Sequence, residues 1–141
     1  MFTPSRNESR LFFFNTWSKM LAQKPLLGLE EKASHIIALH PEYHRILSHP
    51  HMYLEYEFVP ESGMANPFLH LSLHLTIAEQ IDTNQPHGIS NLFSKLHKKN
   101  TDEHTARHAI LEILEDELWN AVNNQKTFDH QQYLQRISSL L

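Results

Sequence analysis

Cysteine is absent from the 141-residue chain. Disulfides, thiolate catalysis and cysteine-ligated zinc are therefore excluded, and nitrogen and oxygen are the only strong metal donors left. Only three glycines are present, and the chain contains neither a GxGxxG fingerprint nor a Walker loop, nor the HExxH and GxSxG motifs of metalloproteases and serine hydrolases. Long apolar runs are missing too. Near the N-terminus the longest is Leu11 to Phe14, too short for a signal-peptide core, and no stretch approaches the ~20 apolar residues that span a bilayer. Twelve Lys and Arg stand against sixteen Asp and Glu, a net charge of −4, with no basic stripe to track phosphates. Neither nucleic acid nor a membrane is expected as a partner, and a reducing, cytoplasmic setting fits the missing cysteines. A chain of this length suits a single domain, residues 1–141.

What the chain has instead is histidine, twelve of them, as many as Lys and Arg together. Its charge must therefore respond strongly to mild acid. Six of the histidines fall into pairs spaced i to i+4: His40 and His44 in HPEYH, His70 and His74 in HLSLH, and His104 and His108 in HTARH. On a helix such positions differ by about 40° around the axis and roughly 6 Å along it, so both rings reach toward one cation or two adjacent ones. Imidazole is the commonest protein ligand for transition metals.

Ser5 and Glu8 have capping-box spacing and open a first helix, Arg6 to Gln23. A second runs from Leu29 to Leu39 and must stop at His40, which precedes Pro41; that proline opens a short helical segment to Leu47. From His49 onward the prolines and the alternation of Tyr53 to Phe58 indicate an irregular loop, residues 52–65, with a short extended piece. Asn66 and Pro67 start an element to about Ile81. Its alternating leucines fit a strand over 68–77, but the Leu-rich rather than β-branched composition favours a buried helix. Helices from Ile89 to Lys99, from Thr101 to Asn124 and from Asp129 to Leu140 complete the chain. The second from last places Ile110, Leu111, Leu114, Leu118, Ala121 and Val122 on one stripe centred near Leu118, with Trp17 and Trp119 at core-like spacings. The whole reads as all-α, a single-domain bundle of about five to six helices.

His104, His108 and Glu112, three consecutive positions one turn apart, lead the candidate metal ligands, with Glu115 nearly in line with His104. His70 and His74 follow, since polar rings inside so apolar a run need partners when buried. His40 and His44 straddle Pro41 and so point differently. The set suits one or two divalent ions such as Zn, Fe, Mn or Ni. Any activity would be metal-dependent hydrolysis or redox chemistry, with Glu115 as a general base. The competing reading is a non-enzymatic interaction or adaptor bundle whose histidines satisfy hydrogen bonds or sense pH. A homo-oligomer is compatible with either.

The segments HPEYH, NPFLHLSLH with the following EQ, and HTARH with Glu112 leading to Leu118 and Trp119 resemble the domain of unknown function 1841 family, over most of the chain. The resemblance implies a bacterial, cytoplasmic protein and brings no established activity. A looser likeness is to hemerythrin-like and DinB-like helical bundles, which hold metals through spaced histidines. The chain departs from these: no HxxxE follows its first histidine, and Glu79 lies at the wrong helical phase after His74, which speaks against oxygen binding in the hemerythrin manner.

Overall fold

A computed structural model describes residues 5–59, 66–100 and 102–141, and among them every regular element is helical. There are eight α-helices and a 3-10 turn: α1 (Arg6–Leu21), α2 (Leu29–Ala38), the turn Pro41–Tyr43, α3 (His44–Leu47), α4 (Pro50–Tyr53), α5 (Pro67–Thr83), α6 (Ile89–Lys99), α7 (Glu103–Asn123) and α8 (His130–Ser138). Five to six helices was too few. The excess lies between His40 and Leu54, where two His-Pro steps cut the chain into single turns. His40 and His49, each preceding a proline, adopt nearly the same backbone, φ −124° ψ 63° and φ −128° ψ 65°. Each also donates from Nδ1 to the carbonyl four residues back, Ile36 and Arg45, at 2.7 Å. Proline forbids the α region to its predecessor, and the ring supplies a donor for a carbonyl the terminated helix leaves open. α4 replaces the first part of the expected irregular loop; residues 60–65 of that loop, like Thr101, lie outside the described residues.

The chain divides into two compact units, Met1–Leu75 and Thr76–Leu141, with the boundary inside α5. In the first unit, Ser5 caps α1 by accepting from the Glu8 amide at 3.3 Å while its hydroxyl donates to the Glu8 carboxylate at 3.0 Å. Phe13 and Phe14 of α1, Ala33, Ile36 and Ile37 of α2, Leu47, Tyr53, and Phe68, Leu71 and Leu75 of α5 make its core. Lys19 ties α1 to α2 by donating to both carboxylate oxygens of Glu30 at 2.9 and 2.8 Å.

The 68–77 segment is helical. Phe68, Leu71, Leu73, His74, Leu75 and Ile77 are all buried while Leu69 is exposed. A helix buried on most of its circumference loses the usual 3.6-residue contrast, which is why its pattern imitated a strand.

In the second unit α6, α7 and α8 pack pairwise. Ile89, Phe93 and Leu96 of α6, Ala106, Ile110, Leu111 and Leu114 of α7, and Tyr133 and Ile137 of α8 are buried. Asp102 caps α7 by accepting from the His104 and Thr105 amides at 3.3 and 3.2 Å. The apolar stripe of α7 ends earlier than its sequence suggests: Trp119 and Val122 are 64 % and 76 % exposed, and Leu118 is exposed as well. The last buried residue is Glu117, whose carboxylate accepts from Arg136 of α8 at 3.3 Å. Trp119 is therefore not a core residue.

Candidate metal centre

The first unit gathers three of the predicted histidines. His40 is carried past the end of α2 by its His-Pro step, and His70 and His74 lie one turn apart on α5. Nε2 of His70 is 3.2 Å from Nε2 of His40 and 3.2 Å from Nε2 of His74, and the ligand atoms of His40 and His74 lie within 4.8 Å of each other. His40 and His74 are each 2 % exposed, and His70 is half-buried. Because a backbone carbonyl can only accept, the bond to Ile36 fixes the His40 proton on Nδ1, and in the neutral ring Nε2 then carries a lone pair. A ligating histidine held through its other nitrogen by a carbonyl is the usual outer support of a metal site.

The spacing itself is informative. Two nitrogens about 2.0–2.1 Å from one tetrahedral ion stand roughly 3.3–3.4 Å apart, close to the two 3.2 Å separations. Without a cation, and with all three rings neutral, one proton on His70 Nε2 would face two acceptors, and a single N–H makes only one good hydrogen bond. The Tyr43 ring lies parallel to His40, centroids 5.5 Å apart, and edge-on to His70 at 5.9 Å. Burial, with Glu42 adding to it, pushes the Tyr43 phenol above its ordinary value, so it stays a neutral wall of the site. Sequence reasoning passed over Tyr43, although its place in HPEYH, three residues after His40, signalled it.

His44 turns elsewhere. Its Nε2 donates to the Ile37 carbonyl at 2.8 Å and its ring stacks on Trp17 at 4.2 Å. It thus closes the end of α2, leaving His40 as the member of the HPEYH pair beside α5.

In the second unit the rings of His104 and His108 lie 4.2 Å apart on α7, with ligand atoms within 4.8 Å of each other; both are half-buried. Glu112, the next position on that row, is exposed. With Glu115, Asp116 and Trp119 it lines a shallow acidic groove on the outer side of α7.

The profile of a family described as a domain of unknown function, DUF1841, matches residues 5–139. The chain belongs to the DUF1841 family. That match takes in all three histidine pairs and leaves the activity of this DUF1841 protein to be argued from its own geometry. No curated protein and no solved structure matches the chain.

Proposed function

We propose that this DUF1841 protein is a metal-binding helical protein that holds one or two divalent transition-metal ions. His40, His70 and His74 are the ligands in the first unit, and the His104–His108 pair, with Glu112 one turn on, is the donor set of the second. The observation that carries this reading is the pair of 3.2 Å contacts at His70 Nε2. Imidazole donors suit Zn, Fe, Mn and Ni without choosing among them. Three protein ligands leave a position for water, which a bound ion would activate for hydrolysis, or for a redox partner; at the donor set of α7, Glu115, which lines one groove with Glu112, is the general base such a reaction would use. The net charge of −4 speaks against a nucleic-acid partner, and no helix among the described residues is long and apolar enough to cross a membrane.

The test is elemental analysis of untagged protein, followed by thermal denaturation with and without each ion. Bound metal, and a melting temperature that rises with ion and falls with chelator, is the expected result. A second reading takes the N···N contacts as hydrogen bonds and the exposed Trp119 and Val122 as part of a surface for another protein. It predicts stability that follows pH and ignores chelators. Alanine at His104 and His108 separates the two: lost metal supports the first reading, and unchanged metal with lost partner binding supports the second.

A further inference from the structure

Arg10, on α1, is 3 % exposed, yet the fold uses only one edge of its guanidinium. Nη1 donates to the carbonyls of Tyr53, Leu54 and Tyr56 at 2.9, 3.0 and 2.7 Å. Phe58 and Phe68 hold the planar group from 5.4 and 5.0 Å. Nη2 and Nε make no hydrogen bond to any described residue. Three N–H donors on a rigid, pre-oriented fork therefore remain for something else.

Arg10 lines a groove of about 460 Å³ within the first unit, a size common for small-molecule sites. Arg6, Ser9 and Ser72 form its polar wall, and Phe58, Phe68 and Leu69 its apolar wall. Ser5 and Asn66, which cap the first turns of α1 and α5, sit at its edge, so the positive ends of two helices border it. Burial, and then the neighbouring Arg6, hold the Arg10 pKa below its ordinary value, with Glu57 acting the other way. A desolvated cation beside a like charge gains more than most from an arriving anion. Glu57, 4.0 Å from Arg6 and itself exposed, is the only carboxylate among the described residues of the lining. Among the described residues of the lining, two guanidiniums against one carboxylate leave a single positive charge.

We propose that this groove binds a small organic monoanion: a carboxylate gripped by the open edge of Arg10 with Arg6, on an apolar body that lies against Phe58, Phe68 and Leu69. One net positive charge matches a carboxylate better than a phosphate dianion. Glu57 is the built-in competitor. None of these residues belongs to the histidine groups, so the assignment stands or falls apart from the metal reading.

The test is a titration of the full chain, followed by backbone amide NMR, with benzoate as the probe and inorganic phosphate in a parallel series. Benzoate is expected to saturate with a dissociation constant on the order of 1 mM, moving amides of Arg6–Arg10 and Phe68–Ser72. Glu57→Gln, which removes an exposed competing charge, should tighten it about two- to fivefold. Leu69→Glu, at a 51 % exposed position, should weaken it at least about tenfold by setting a fixed carboxylate on the wall. Both variants keep the wild-type amide dispersion, because neither side chain belongs to the core. Failure of benzoate to saturate, saturation that neither variant moves, or phosphate binding as tightly as benzoate would each overturn the assignment.

Discussion

Replacing Arg10 with glutamine removes the group that fastens the 53–56 backbone to α1. The loss is set by three carbonyls that accept from one charged nitrogen within 3.0 Å and by packing against two phenylalanine rings. A hydrogen bond to a charged group contributes about 1.5–3 kcal/mol. Nη1 has only two hydrogens for three acceptors, so the bonds do not add, and the Tyr56 carbonyl belongs to an exposed residue that water can reach. Relief of the buried charge returns part of the remainder, as the depressed Arg10 pKa indicates. The net loss should be about 2–3 kcal/mol, or about 8–12 °C in melting temperature for a chain of this size. Urea unfolding followed by tryptophan fluorescence reports it, since Trp17 lies in the same unit. Arg10→Lys should restore only part, because an ammonium has neither the planar fork nor its stacking. A loss below about 0.5 kcal/mol for glutamine would refute the reasoning, showing that water serves those carbonyls as well as the guanidinium does.

Three further substitutions probe other joints of the fold. Lys19, and secondarily the Leu27 amide, hold the Glu30 carboxyl below the usual carboxylate range. Its contribution is therefore present above the unfolded carboxyl value and lost as pH falls through the folded one. Glu30→Gln should cost about 0.5–1 kcal/mol at pH 7, allowing for solvent screening of the pair, and the difference from wild type should shrink as pH falls below the ordinary carboxylate range in paired urea titrations. Tyr133 is fully buried and donates to Gln80 Oε1 at 2.7 Å; burial pushes its phenol far above its ordinary value. Tyr133→Phe should cost about 1 kcal/mol, and the wild-type advantage should fade as pH rises past about 10, where the unfolded phenol ionises. His44→Ala should lower stability by about 1–2 kcal/mol through the lost bond to Ile37 and the lost stack on Trp17, while leaving metal content unchanged.

The helical class and most helix starts could be read from the chain because their causes are local. Ser5 and Asn66 cap with their own side chains, and the Leu-rich composition of α5 outweighed its strand-like alternation. Where the reading failed, the deciding partner was distant or the motif unrecognised. Trp119 and Val122 continue the apolar pattern of α7, yet burial ends at Glu117, where Arg136 supplies a charge partner from α8. The helical segment from Pro41 to Leu47 was legible from its opening proline, but the single turn α4 follows from a second His-Pro step whose ring-to-carbonyl bond has no place in ordinary helix signals. The histidine spacing identified the candidate ligands, but it could not say that His40 would stand beside α5 while His44 turned back to Ile37. That depends on which side of Pro41 each lies. The groove around Arg10 left no mark at all, because its parts come from positions some 60 residues apart.

The most direct test of the central claim is the metal content of untagged protein after exposure to Zn and removal of free ion, compared with His70→Ala and His44→Ala. The account predicts one or two ions per wild-type chain, loss of at least one in His70→Ala and full retention in His44→Ala. Wild-type protein that carries no stoichiometric metal and gains no thermal stability from Zn, Fe, Mn or Ni would contradict it.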